Sequence, residues 1–340
     1  MKILVGISGG VDSAFAANLL KDRRHDVTGC ILKMHEYSDI DGARKVADEL
    51  GIELVVLDCT ERFNSEIKTY FVNEYLAART PNPCIVCNER VKFRMLCDYA
   101  TENGFDKIAT GHYANVCREA DGSYSLCRAT DLSKDQSYML YRLPEDILSR
   151  VEFPLGGLTK EEVRRRSEAI RLSVANVKDS QEICFLPDGG YPEYIESVAG
   201  ISPKGNFIDD EGNVLGEHNG IIRYTVGQRK GLGVSLGKRA FVTSIDPKNN
   251  TVTLSDNIKG RDEIGIFDVV KSPAFDPSTI KEANLKVKLR YTAPLIDVKL
   301  EQLGEGKILL RLSEQAKAAP GQSAVVYDGD KVVLGGFIEA

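Results

Sequence analysis

The chain has 340 residues, 42% hydrophobic and 28% charged, with eight cysteines and a formal net charge of −6. That length predicts two or three domains with ample core. No apolar run approaches the ~20 residues of a membrane span, and the N-terminus enters a strand-like segment rather than a signal peptide, so a cytoplasmic protein is expected. The cysteines are too few and too irregularly placed for a secreted disulfide framework. A negative net charge gives no bulk attraction to nucleic acid, so any RNA partner must meet a local basic surface.

The first element, Ile3-Leu4-Val5-Gly6-Ile7, reads as a strand that leads through Ser8-Gly9-Gly10-Val11-Asp12-Ser13 into a helical run at 14–20. A strand, a glycine turn and a helix start make an anion site: paired glycines let the backbone approach a phosphate, and the helix N–H groups and dipole favour negative charge. Ser8 and Ser13 add hydroxyl donors. A carboxylate beside phosphates is repulsive unless it holds a metal, so Asp12 is read as a Mg²⁺ ligand. The plain alternative is an ordinary glycine turn with a Ser/Asp helix cap. The segment is neither a Walker A loop nor a GxGxxG fingerprint. It resembles the PP-loop of ATP pyrophosphatases, which implies cleavage of ATP between its α and β phosphates and adenylation of a substrate oxygen.

Strand-like runs at 27–32, 54–57 and Lys107–Thr110 alternate with helical patterns at Ile40–Leu50, 62–78 and 89–103. The expected class is α/β, with a doubly wound parallel sheet. Its ligand site should lie beyond the carboxyl ends of the strands, where the glycine turn and Gly111-His112 both emerge. Thr159 and Glu162 read as a capping box opening a helix through Arg164, Arg165 and Arg166; those arginines are either a solvated face or an RNA-backbone contact. After about Tyr194, turn-rich texture separates short alternating runs at 220–225, 240–245 and 252–254. A third block, from about Gly265, repeats the style at 285–289, 295–300, 307–312 and 323–327, and small antiparallel barrels fit both blocks. The expected division is residues 1–196, 197–262 and 263–340.

Cys84 and Cys87 form a CxxC inside Thr80-Pro81-Asn82-Pro83-Cys84-Ile85-Val86-Cys87-Asn88, read as a proline-stiffened loop just before a helix whose dipole would stabilise thiolates. Half of a structural zinc site and a dithiol switch are the alternatives, and no second CxxC completes four zinc ligands. Cys184, in Ser180-Gln181-Glu182-Ile183-Cys184-Phe185-Leu186, is the best third thiol because its setting is polar and loop-like. Cys30, Cys59, Cys97, Cys117 and Cys127 are read as core packing.

With these three motifs, the chain resembles the tRNA-specific 2-thiouridylases, which replace O2 of the wobble uridine with sulfur. The resemblance runs through Ala109-Thr110-Gly111-His112-Tyr113, Lys134-Asp135-Gln136-Ser137-Tyr138, Phe153-Pro154-Leu155-Gly156, Tyr224-Thr225-Val226-Gly227-Gln228-Arg229, Arg290-Tyr291-Thr292-Ala293-Pro294 and Ala319-Pro320-Gly321-Gln322, nearly the whole chain. It implies a PP-loop domain, a small central domain and a C-terminal β-barrel. It also implies that Gly6, Ile7, Ser8, Gly9, Gly10, Val11, Asp12, Ser13, Leu32 and Gly111 line an ATP site. Cys87 would be the catalytic nucleophile and Cys184 the persulfide-bearing cysteine. Asn82, Pro83 and Cys84 would meet the target base, while His112, Lys134, Asp135, Gln136, Arg290, Tyr291 and Gln322 would contact the tRNA.

Each has a plain reading beside it: a satisfied turn histidine for His112, a turn amide for Gln322, solvated charges for Lys134 and Arg290. Many members of that family carry an aspartate where this chain has Cys84. Cys84, Cys87 and Cys184 together can hold three irons of a 4Fe-4S cluster and leave the fourth open for sulfide, which is the expectation here. The alternative is cluster-free, with a persulfide on Cys184 and a disulfide formed by Cys87. Expected reactants are ATP with Mg²⁺ and the anticodon loop of tRNA, and expected partners include a sulfur donor protein or a sulfide source. The rivals are an amide-forming PP-loop synthetase and a tRNA-binding module with a structural zinc.

Overall fold

The run of buried Ile3, Leu4 and Val5 forms β1 (Lys2–Gly6), apolar on both faces as a parallel strand covered by helices must be. It is followed by helix α1 (Val11–Asp22), β2 (Asp26–Lys33), helix α2 (Ile40–Leu50), β3 (Glu53–Asp58) and β4 (Lys107–Thr110). A hairpin of β5 (Asn115–Arg118) and β6 (Tyr124–Cys127) comes next, and then the short β7 (Val151–Glu152). The sheet order is β3-β2-β1-β4-β7, parallel throughout. The computed structural model describes residues 1–177, 183–186, 190–234, 237, 239–257, 259–273, 275, 285–304 and 306–339. Among these, no helix is long and apolar enough to cross a membrane.

Two long helical stretches each contain a π turn: Thr60–Phe63, Asn64–Lys68 and Thr69–Leu76 run together, as do Pro83–Cys87, Asn88–Lys92 and Phe93–Glu102. The second starts before the expected position. Asn82 caps it by accepting the Cys84 N–H at 3.2 Å, and Pro83 fills the first turn. Cys84 and Cys87 therefore lie on the helix itself, near its start and one turn further on, which corrects the loop reading.

The central block holds β8 (Gly205–Ile208), β9 (Val214–His218), β10 (Phe241–Asp246) and β11 (Thr251–Ser255), in the order β10-β11-β8-β9. The β11–β8 pair is parallel, which the turn-rich texture did not suggest. The segment expected to be a strand at 220–225 contains instead a 3₁₀ turn, Ile221–Arg223. Ile221 and Ile222 are both buried, which an alternating strand cannot arrange, and Gly220 (φ 107) turns the chain against Ser202.

In the third block, β12 (Arg261–Lys271), β13 (Leu285–Lys288), β14 (Ile296–Gly304), β15 (Lys307–Ala316), β16 (Ser323–Asp328) and β17 (Lys331–Ile338) close into a six-strand barrel through the β12–β17 pairing. The β5–β6 hairpin of the first domain joins β17 at Lys331 and Cys127, so the sheet crosses the domain boundary. Tyr138 Oη donates to the Ser323 carbonyl at 2.8 Å, and Val325, Tyr327, Val332 and Phe337 share a core cluster with Phe71, Phe93 and Tyr138. Cys30, Cys59 and Cys97 are buried, as read from the sequence. Cys117 and Cys127, read as packing residues, are bonded to each other across the hairpin.

Candidate functional site

β1 delivers Gly6 and Ile7 to the carboxyl edge of the sheet, and the turn that follows is shaped for an anion. Gly9 has φ +79, a region that glycine enters without penalty, and no side chain caps the start of α1 at Gly10. Ser13 Oγ accepts the Ser8 N–H at 3.1 Å and donates to the Gly10 carbonyl at 3.1 Å, so this hydroxyl holds the loop's shape. Gly111, at the end of β4, lies against α1: a Cβ there would stand 2.6 Å from the Asp12 carbonyl carbon and the Ser13 nitrogen. Ile7, Val11 and Leu32 are buried and contribute walls and backbone. An uncapped helix start behind a glycine turn fits a polyphosphate.

Asp12 is engaged in a way that sequence reasoning missed. Lys160 Nζ donates to its two carboxylate oxygens at 2.8 and 2.7 Å, and Tyr113 Oη donates to Oδ1 at 2.8 Å. Lys160 is 7% exposed and opens the helix Lys160–Ala169, whose expected capping box is present with both Thr159 and Glu162 contributing. The Lys160 backbone N–H donates to Asp131 Oδ2 at 3.0 Å. The carboxylate read as a metal ligand thus already faces an ammonium, and a divalent cation would share it with Lys160.

The three thiols of interest lie on two segments. Cys87 is buried with its Sγ 3.9 Å from Met34 Sδ, while Cys84 and Cys184 are exposed. Phe185 anchors the turn bearing Cys184 by packing edge-on to Phe63 and Phe71, at 5.5 and 5.3 Å between ring centres. Ser180, Gln181 and Glu182 lie outside the described residues. Burial pushes the Cys87 thiol up to about 12, and although Cys84 and Cys184 are exposed residues, the protein packed around their sulfurs strips enough water to raise them as well. The Lys92 ammonium opposes this at all three, and Cys184 and Cys84 both act on Cys87. Lys92, at the end of the π turn, carried no sequence signal beyond its helical run. Cys87 is expected to remain a thiol at neutral pH, so its alkylation by iodoacetamide, followed by peptide mass spectrometry, should rise about tenfold per unit from pH 7 to 10 without levelling.

Among the described residues, no group of three or more His, Cys, Asp or Glu side chains is arranged to hold a metal ion. The ligand set expected of Cys84, Cys87 and Cys184 for a 4Fe-4S cluster is therefore not assembled: Cys87 is buried against Met34 while the other two thiols are exposed.

The residues implied for RNA contact divide into two kinds. Arg290 is exposed, and Tyr291 is half-buried with its ring 6.2 Å from Tyr138. Lys134 is half-buried. Asp135, by contrast, is buried: it accepts the N–H groups of Ala129 and Ser137 and the Ser137 hydroxyl, with Arg128 3.6 Å away. Gln136 Oε1 accepts the Tyr113 N–H at 2.9 Å. His112 Nδ1 shares a 2.8 Å hydrogen bond with Thr110 Oγ1, and burial lowers its pKa well below the usual range, keeping the ring neutral. Asn82 Nδ2 lies 3.3 Å from Met139 Sδ, and Pro83 is buried. Gln322 Nε2 donates to the Thr80 carbonyl at 2.8 Å.

Fold and site together define a PP-loop nucleotide-binding protein with two appended β domains. Residues 1–188 match the family described as the tRNA methyl transferase HUP domain, 193–256 the tRNA methyl transferase PRC-barrel domain, and 270–338 the aminomethyltransferase beta-barrel domain. The chain is 43% identical to the tRNA-specific 2-thiouridylase MnmA of Treponema denticola, over 100% of this chain and 98% of that one. It is 40% identical to the protein of the same name from Caldicellulosiruptor saccharolyticus, over 99% and 98%. The chain belongs to the tRNA-specific 2-thiouridylase family.

Similar solved structures include a 4-thiouridine synthetase–RNA complex with bound ATP, at 19% identity and a TM-score of 0.37 over 54% of this chain and 44% of that one. Another is the NH3-dependent NAD synthetase from Campylobacter jejuni, at 14% identity and a TM-score of 0.34 over 53% and 69%.

Proposed function

We propose that this protein makes 2-thiouridine at the wobble position of tRNA. The observation that carries the reading is that Cys87 and Phe185, the neighbour of Cys184, pack into one hydrophobic cluster of a domain whose first turn is a PP-loop. ATP would bind over the uncapped start of α1, and Asp12, beside Lys160, would be the residue to hold a Mg²⁺ ion, which would supply charge neutralisation for the phosphates. Uridine O2 attacks the α phosphate, pyrophosphate leaves, and the base carries AMP. AMP is a far better leaving group from C2 than hydroxide.

A persulfide on Cys184 then attacks C2 through its terminal sulfur and AMP departs. Cys87, losing its thiol proton as it reacts, attacks Cys184 Sγ, forming a Cys87–Cys184 disulfide and leaving sulfur on the base. A sulfur donor restores the persulfide and a dithiol reductant reopens the disulfide. Lys92 is placed to stabilise thiolate character at these sulfurs. The target base must be unstacked to reach them, as single-stranded loops allow. Arg290, Lys134 and Tyr291 give an otherwise acidic protein its local contact surface for the anticodon arm.

The test is direct: with ATP, Mg²⁺, a persulfide donor and tRNA, the protein should release pyrophosphate only when tRNA is present, and nucleoside mass spectrometry should find 2-thiouridine. Pyrophosphate release driven by ammonia and an acidic substrate would select the amidating rival. Cys84→Asp is expected to retain at least about half of the thiolation rate, because this route assigns Cys84 no sulfur or metal to carry. Loss of sulfur insertion together with bound iron in that variant would restore the cluster.

A further inference from the structure

Residues 78–82 connect the end of the helix Thr69–Leu76 to the turn bearing Cys84 and Cys87, and the other two domains grip this short segment. Ala78 takes φ 57, a left-handed conformation that a non-glycine residue adopts only at a cost, and packs against the hydrophobic core of the central domain. The Thr80 N–H donates to the Pro320 carbonyl at 2.8 Å, and the Thr80 carbonyl accepts Gln322 Nε2 at 2.8 Å. Thr80 Oγ1 donates to Thr225 Oγ1 of the central domain at 3.3 Å. Between Pro320 and Gln322, Gly321 has φ +85 and comes so close that a Cβ would lie 2.9 Å from the Thr80 nitrogen. Only two residues further on, Asn82 caps Cys84.

We propose that Gln322 is a positioning residue for the sulfur-transfer site: by holding the Thr80 carbonyl it ties the barrel's 319–322 turn to the segment that launches the Cys84–Cys87 helix. An RNA that docks on the barrel thereby fixes where Cys87 stands. The amide that the family resemblance assigns to RNA contact gives one of its N–H groups to the protein's own backbone, and Thr80, which no motif argument singled out, is the point at which the three domains meet. The consequence for turnover rests on the thiolation reading; the strap itself does not.

Two measurements separate them. Gln322→Met keeps the side chain's length and removes the donor, while Gln322→Lys restores a donor of similar reach. Loss of one such bond corresponds to about a tenfold change in a local equilibrium or rate. In the protein alone, Gln322→Met is expected to speed hydrogen exchange of the 80–87 amides about tenfold with little change in the 323–328 strand, and Gln322→Lys should return most of the protection. With ATP, a persulfide donor and tRNA, kcat should fall about tenfold in Gln322→Met at unchanged tRNA affinity. If methionine unfolds the turn, Gln322→Glu, which also lacks the donor, serves the same comparison.

Unchanged protection of 80–87 in the donor-free variants would overturn the strap. Weakened tRNA binding with unchanged kcat and unchanged exchange would make Gln322 a plain RNA contact. Altered exchange in a protein that forms no 2-thiouridine at all would uphold the strap and reject the thiolation reading.

Discussion

Lys160→Met is expected to slow tRNA-dependent pyrophosphate release from ATP by about 10²–10³-fold, the loss typical of removing a preorganised charge from a reacting centre. The ammonium reaches both Asp12 oxygens at 2.8 and 2.7 Å from a position that is 7% exposed, so it is fixed before the nucleotide arrives. Without it, the carboxylate keeps only the Tyr113 hydroxyl and loses the fixed cation that orients it before ATP and Mg²⁺ arrive. Lys160→Arg should recover part of the rate. The double variant Asp12→Asn/Lys160→Met should lose less than the two single losses combined, because the residues act as a pair. Melting curves and tRNA binding keep folding separate from chemistry, and a normal rate in folded Lys160→Met would reduce the pair to a structural tie between α1 and the helix Lys160–Ala169.

Cys87→Ser and Cys184→Ser should each abolish 2-thiouridine formation, beyond about 10³-fold, while leaving adenylation largely intact. The PP-loop and the thiols belong to different elements, so activation of the base does not depend on sulfur delivery. A hydroxyl cannot accept a persulfide sulfur or form a disulfide, so neither variant has a partial route. Labelled AMP should therefore accumulate on tRNA in both. Normal 2-thiouridine from either variant would remove that cysteine from the mechanism, and loss of adenylation in both would mean that the thiols shape the nucleotide site itself.

The sheet was legible because parallel strands covered on both faces are rich in apolar residues, as β1 and β2 are, and because even the half-exposed edge strand β3 keeps an apolar run at 54–57. The capping box at Thr159 and Glu162 was legible for a different reason: its partners are three residues apart, and the structure has both bonds, at 2.8 and 3.2 Å. What that helix contributes, Lys160 on Asp12, was not, because the pair joins positions far apart in the chain and exists only once α1 packs on the later helix. The helical start at Pro83 could have been read from Asn82 as a cap and proline in the first turn; the CxxC drew attention to loop chemistry instead. Strand β17 and its pairing with β6 depend on long-range register, about which local alternation says nothing.

The hydroxyls of Tyr138 and Tyr141 end on Ser323, and the Ser137 hydroxyl meets that of Tyr327, so the barrel supplies partners that the first domain would otherwise have to find in water. Such a barrel is not an accessory that evolution, or an engineer, could exchange for another module while leaving the first domain as it was. A chain cut before β12 would leave the aromatic face of residues 137–141 bare and remove part of the support beneath the first domain.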